Sequence, residues 1–197
     1  MWDPEHEAIR EADQHSMENA ALSRQINYVY TKSPFYRRRF DDAGVTPDNV
    51  RDVRDLYSLP FTTKDELRES QERNPPFGDY LAAPKEALVR VHRTSGTTGR
   101  FIYVGLTRAD IIQTNNVGAR AFWAGGLRPH HTVVHCLNYS LWMGGYTDHS
   151  NLEATGATVI PFGVGNSRQL VRMIRETGVD AISATPSYPV RLEQIVR

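Results

Sequence analysis

Arg93-Thr94-Ser95-Gly96-Thr97-Thr98-Gly99-Arg100 is the stretch on which the reading of this chain turns. Its two glycines let the backbone bend so that successive N–H groups face one concavity, a nest that draws anions. One serine and three threonines add hydroxyl donors, and Arg100 adds a positive charge at the edge. A polyphosphate suits such a loop. The Gly-Lys-Ser/Thr ending of a Walker A loop is missing, and both flanks read as strands: Ala87 to Arg93 alternates before the loop, and Phe101 to Leu106 follows it. That argues against a strand-to-helix P-loop. A Gly/Thr-rich turn between two strands is equally a plain hairpin connection, so composition leaves both readings open.

Downstream of this hairpin the rhythm is that of an α/β fold. Thr107 to Asp110 opens a helix that runs past Ile111, Ala119, Phe122 and Trp123 to a stop at Gly125-Gly126. Strands are expected at Thr132 to Leu137, Ala157 to Phe162 and Val179 to Thr185, and helices at Gly144 to Thr155 and Ser167 to Thr177, the latter ended by Gly178. Strand, helix, strand, helix, strand predicts a mostly parallel sheet with covering helices. Tyr188 to Arg197 reads as a further helix without a stop signal. A parallel sheet of so few strands leaves an apolar face and an unpaired edge, which predicts self-association or a partner that covers them.

Upstream of the hairpin the chain reads as helical. Asp3-Pro4 caps a long opening helix carrying Ile9, Ala12, Leu22, Ile26, Val29 and Tyr30 at helical spacing. Ser33-Pro34 starts a shorter one that ends at Gly44, Thr46-Pro47 begins another, and Thr63 and Glu66 have capping-box spacing before the next. Asn74-Pro75-Pro76-Phe77-Gly78 breaks the pattern. The domains expected are a helical N-terminal segment, 1–78, and a truncated α/β nucleotide- and acyl-binding subdomain, 79–197.

Composition excludes several classes. With 197 residues, 40% hydrophobic and 23% charged, the chain reads as an ordinary soluble globular protein. Lys plus Arg equals Asp plus Glu at 23 each, which removes the electrostatic case for a nucleic-acid or anionic-membrane binder. The run Arg37-Arg38-Arg39 is answered by Asp41-Asp42 and reads as a solvated helix face, with a phosphate-contacting patch as the alternative. A single cysteine, Cys136, forms no internal disulfide and fits a reducing compartment. No apolar run approaches the ~20 residues of a membrane span, and the acidic N-terminus is unlike a signal peptide. The expected location is the cytoplasm.

A second candidate site is Asn138-Tyr139-Ser140-Leu141-Trp142-Met143-Gly144-Gly145, which follows the carboxyl end of a strand, where open parallel sheets bind ligands. Tyr139 and Trp142 could face an aromatic substrate there or simply pack the sheet on its helix. His130, His131, His135 and Cys136 match no common zinc spacing, and a strand sends His135 and Cys136 to opposite faces, so no metal site is expected. Cys136 reads as a small buried hydrophobe and His92 as a strand residue.

Thr94 to Gly99 resembles the signature loop of the adenylate-forming superfamily of acyl-CoA synthetases, luciferases and peptide-synthetase adenylation domains. Ser33-Pro34-Phe35-Tyr36, Leu59-Pro60-Phe61-Thr62-Thr63-Lys64-Asp65-Glu66-Leu67, Val104-Gly105-Leu106-Thr107-Arg108-Ala109-Asp110 and Ala184-Thr185-Pro186-Ser187-Tyr188 resemble its phenylacetate-CoA ligase branch. The resemblance covers the chain from about Ser33 onward. It implies that ATP and a carboxylic acid, aryl or arylacetic, form an acyl-adenylate, and that coenzyme A then displaces AMP. By resemblance Thr94, Ser95, Gly96, Thr97, Thr98 and Gly99, with Arg100 beside them, hold the β- and γ-phosphates; Mg²⁺ shares their charge, with no ligand assignable. Tyr139, Trp142, Gly144 and Gly145 then line the acyl pocket. The family's Tyr-Gly-x-Thr-Glu loop, its ribose-binding acid, its hinge and its catalytic lysine do not occur in these 197 residues. The chain therefore reads as the N-terminal part of a ligase, with no catalytic residue of its own and a downstream half or a second copy as partner. Two alternatives stay open: a non-catalytic phosphate-binding module, and an adenylating enzyme that uses an amine or a carrier thiol as acceptor.

Overall fold

The structure is a computed structural model that describes residues 1–94, 96 and 101–196. The chain folds as two compact units, one of residues 4–108 and the other of residues 109–197 together with 1–3.

In the first unit the opening helix is not continuous: α1 spans Pro4–Glu7 and α2 spans Glu11–Lys32, with Arg10 extended between them. A four-residue helix rich in acid closes no buried face, and so short a helix gains little from its own hydrogen bonds. Ser33 then does two jobs. Its Oγ accepts from the Tyr36 N–H as N-cap of α3, Pro34–Asp42, and donates to the Asp79 carbonyl. Helices α2 and α3 bury Ile26 and Phe40 with Val45 and Val50 between them. Thr46-Pro47 yields only a single 3-10 turn, Pro47–Asn49, and a second follows at Val53–Ser58. Each arginine of the Arg37–Arg39 run has a partner within this unit: Arg37 lies over the Tyr30 ring, Arg38 pairs with Asp79 and Arg39 with Glu66. The run is spent on the fold, as a helix face should be.

The capping box at Thr63 and Glu66 forms as read and starts α4, Lys64–Arg73. Beyond it lies the hairpin: β1, Leu88–Arg93, pairs antiparallel with β2, Tyr103–Thr107. Between α4 and the hairpin, Gly78 adopts φ +68°, and a Cβ there would stand 2.7 Å from the Tyr80 ring, so only glycine serves.

The second unit has the architecture expected of the α/β pattern. Helix α5, Arg108–Ala124, precedes β3, Thr132–His135; α6, Met143–Ala154, leads to β4, Thr158–Ile160; α7, Ser167–Thr177, leads to β5, Ala181–Ser183; and α8, Tyr188–Val196, follows. The sheet is parallel in the order β4-β3-β5. Its strands end up to two residues short of the apolar runs, because only the central residues carry ladder bonds. Val133 faces a core with Leu127, Leu152 and Ala157, whereas Val134 faces Leu170, Leu192 and Cys136 on the other side. Successive residues of one strand thus serve opposite cores, which is why β3 reads as continuously apolar.

Candidate functional site

Two places in the chain gather the residues that the motifs single out. The first is the mouth of the hairpin turn, in the first unit. Thr94 closes the ladder: its N–H donates to the Ile102 carbonyl, and its Oγ1 accepts from the Ile102 N–H at 3.1 Å. Its hydroxyl proton stays available for another acceptor. Gly96 has φ +62°, and a Cβ there would sit 2.4 Å from the Phe101 ring, which is itself stacked beneath the Arg93 guanidinium at 4.0 Å. Gly96 is therefore required both by its backbone angle and by its neighbour. Ser95, Thr97, Thr98, Gly99 and Arg100 lie outside the described residues.

Sequence reasoning missed what anchors this turn. Gln71, one of the polar residues of α4, accepts from the Tyr103 N–H at 2.9 Å and donates to the Phe101 carbonyl at 3.0 Å. Tyr80 donates to the Tyr103 carbonyl at 2.9 Å, and burial pushes its hydroxyl pKa up to about 12, so it stays protonated for the task. Three hydrogen bonds from α4 and the chain after it thus clamp the strand that leaves the loop. Partners some 30 residues apart carry no local signal; the clue is a Gln on a mostly charged helix.

The second place is the carboxyl end of the parallel sheet. The loop after β3 turns sharply, and Leu141 takes φ +56°, the one positive φ among described residues other than glycine. A branched-chain residue in that region costs about 1–2 kcal/mol and persists only where its surroundings enforce it. The enforcement is visible at Gly145. It is buried in the first turn of α6, where a Cβ would meet the Asn138 carbonyl oxygen at 2.0 Å. Gly144 is under less pressure, its nearest neighbour being the Trp142 ring at 3.1 Å.

His135, fully buried at the end of β3, ties this loop to the sheet. Its Nε2 lies 2.8 Å from the Gly145 carbonyl, which can only accept, so Nε2 carries the proton and Nδ1 accepts from the Ser183 hydroxyl at 3.0 Å. Burial pushes the His135 pKa below its ordinary 6.5. The sign of the consequence follows: on acidification the unfolded chain binds a proton near pH 6.5 while the folded chain resists, so stability is complete above that pH and falls below it. Half-buried Asp148 acts with the opposite sign, its pKa being raised by desolvation, so its contribution is lost as pH rises from about 3.8. It is common to the wild type and to a His135→Gln variant. The urea midpoint of the wild type is expected to drop further between pH 7.5 and pH 5.5 than that of His135→Gln; parallel drops would discount His135 as the titrating group.

Tyr139 stands in a ring cluster with His135, Tyr146 and His149. Its hydroxyl, held protonated by a pKa raised by burial to about 12, donates to His149 Nδ1 at 3.0 Å, and His149 Nε2 stands 3.2 Å from Glu153. Trp142, half exposed, lines a cavity of about 370 Å³ instead, together with Leu137, Asn138, Val164 and Tyr188. The loop therefore divides its two aromatics between a cavity wall and the cluster behind it. Burial raises the Cys136 pKa to about 11, so the thiol behaves as an apolar wall of the same cavity. A second cavity, of about 320 Å³, runs along β5. In its lining Asp180 accepts from the Thr132 N–H, and His131 Nδ1 accepts from the Arg128 N–H. Among the described residues no three His, Cys, Asp or Glu side chains converge. No helix among the described residues is long and apolar enough to cross a membrane.

No family model matches the chain. Its sequence is 38% identical over all 197 residues to the phenylacetate-coenzyme A ligase of Thermus thermophilus and 40% identical over 177 residues to that of Escherichia coli, covering 43% and 39% of those proteins. Its fold matches a crystal structure of 2-hydroxyisobutyryl-CoA ligase in complex with 2-HIB-AMP and CoA, with a TM-score of 0.90 and 35% identity over 96% of this chain and 40% of that one. The chain thus spans about two fifths of the length of these relatives. Along its entire length the chain is thus similar to a portion of phenylacetate-coenzyme A ligases, and it shares the fold of a portion of an acyl-CoA ligase.

Proposed function

We propose that the chain is the part of an ATP-dependent acid-CoA ligase that grips the tail of ATP and shapes the acyl pocket, the acid being aryl or arylacetic. The observation that carries this reading is the match of nearly the whole chain to a ligase solved with an acyl-adenylate and CoA. The glycine at the hairpin mouth and the aromatic-walled cavity at the carboxyl end of the sheet support it. In the complete enzyme the acid becomes an acyl-adenylate with release of pyrophosphate, and CoA then takes the acyl group. The task of Thr94 to Gly99 is to aim N–H and O–H donors at the phosphates before charge develops on them, so that no reorganisation is needed during the reaction. Mg²⁺ would share that charge. Trp142 supplies the flat wall against which an aryl ring stacks.

The test is ATP–pyrophosphate exchange by this chain joined to the remainder of the enzyme, with a broad panel of carboxylic acids. Exchange stimulated by arylacetic acids supports the reading, and silence with every acid sinks it. Within that assay Trp142→Ala is expected to raise KM for an arylacetic acid about tenfold, or ~1.4 kcal/mol, with little change in kcat. An unchanged KM would remove Trp142 from the pocket.

A further inference from the structure

The cavity beside Trp142 is not a purely apolar slot. Leu137, Val164 and Trp142 line it, and Arg191 of α8 contributes the only charged side chain among its described lining residues. The remaining polar groups there are largely engaged: Ser167 and Tyr188 share a hydrogen bond of 3.0 Å, and the Asn138 side-chain oxygen accepts from the Ser140 N–H. Arg191 is exposed and makes no ion pair or hydrogen bond with any described residue. A guanidinium is a rigid fork matched to a planar anion, and one held at the rim of a half-apolar cavity selects ligands carrying such a group.

We propose that Arg191 makes this cavity selective for acids with a second anionic group, remote from the carboxylate that is activated. The inference rests on the reading of the cavity as the acyl pocket. Chemistry favours the remote group over the reacting one. A carboxylate bound bidentately by arginine is stabilised in its ground state and loses nucleophilicity, which opposes attack on phosphorus. A second carboxylate on the ring takes no part in the reaction, so its pairing with Arg191 contributes binding alone. An aromatic ring against Trp142 with an acidic substituent toward Arg191 uses both the aromatic and the cationic part of the lining.

The experiment is a titration of this chain joined to the remainder of the enzyme, followed by ligand-observed NMR, with phenylacetate, with 3- and 4-carboxyphenylacetate and with CoA. At least one carboxyphenylacetate is expected to bind about tenfold more tightly than phenylacetate. Arg191→Gln is expected to erase that difference and leave phenylacetate unchanged, and Arg191→Lys to restore part of it. As an exposed helix residue, Arg191 can be replaced without loss of fold, which circular dichroism checks. Equal affinities for the mono- and diacids would overturn the proposal while leaving the acyl pocket intact. So would an Arg191→Gln variant that weakens all acids alike, which would put the guanidinium on the reacting carboxylate, or one that weakens only CoA. If no acid binds and Trp142→Ala alters no spectrum, the acyl-pocket reading itself fails, and this inference with it.

Discussion

Gly145→Ala is expected to destabilise the chain by about 3 kcal/mol, at the upper end of what overpacking costs, and to lower its melting temperature by roughly 6–12 °C. The reason is the identity of the atoms a methyl group would strike. At Gly145 they are the Asn138 carbonyl oxygen at 2.0 Å, its carbon at 2.7 Å and the Tyr139 Cα at 2.9 Å, all backbone. No rotamer change relieves them. The loop must lift, and lifting it stretches the His135 bond to the Gly145 carbonyl and disturbs Trp142. The adjacent Gly144→Ala meets only the ring of a half-exposed tryptophan at 3.1 Å, which can swing away. Its cost is expected below about 1 kcal/mol, partly offset by the better helix propensity of alanine. Differential scanning calorimetry of the two variants checks the pair. A Gly145→Ala protein as stable as Gly144→Ala would mean that the loop after β3 is not seated as described.

The other large effect is expected at the hairpin. Gly96→Val should lower ATP–pyrophosphate exchange of the complete enzyme at least about 100-fold, the usual consequence of misaiming a donor at a developing charge. A β-branched residue at φ +62° is strained in itself, and its Cβ would strike the Phe101 ring at 2.4 Å. Phe101 cannot retreat freely because Arg93 covers its face and Gln71 holds its carbonyl. Gly44→Val isolates the strain from the function. Gly44 has almost the same φ, +67°, but open space around it, so the variant should lose comparable backbone stability and keep its exchange activity. If both variants exchanged within threefold of wild type, the loop would be a plain connection after all.

Much of this was legible in the sequence because local chemistry is strong where it was read. The Thr63–Glu66 capping box, Ser33 ahead of Pro34 and Gly178 after α7 are each short-range devices, and each occurs where its spacing puts it. The alternation of apolar runs with helical periods is enough to imply a parallel sheet, since only crossover helices connect parallel strands so economically. The failures are equally physical. The opening helix parts around Ala8 to Arg10, after a four-residue helix that buries no residue. Thr46-Pro47 has a helix start signal but only three residues before the chain must turn, which leaves a 3-10 turn. At the site, the prominence of Tyr139 and Trp142 was visible, but their separation into a cluster and a cavity was not. It depends on His149, four residues before Glu153 on α6, whose helical spacing gives Tyr139 an acceptor. Nor does any local pattern tell Arg191 from an ordinary surface arginine.

The clamp of Gln71 on both sides of Ile102 has a consequence for how nucleotide engagement could be watched from afar. Whatever tugs at the tip of the hairpin must load a helical turn that touches no phosphate, so amides of α4 should exchange with deuterium more slowly when the tip is occupied. That slowing should vanish when Gln71 is shortened to alanine, even at saturating nucleotide.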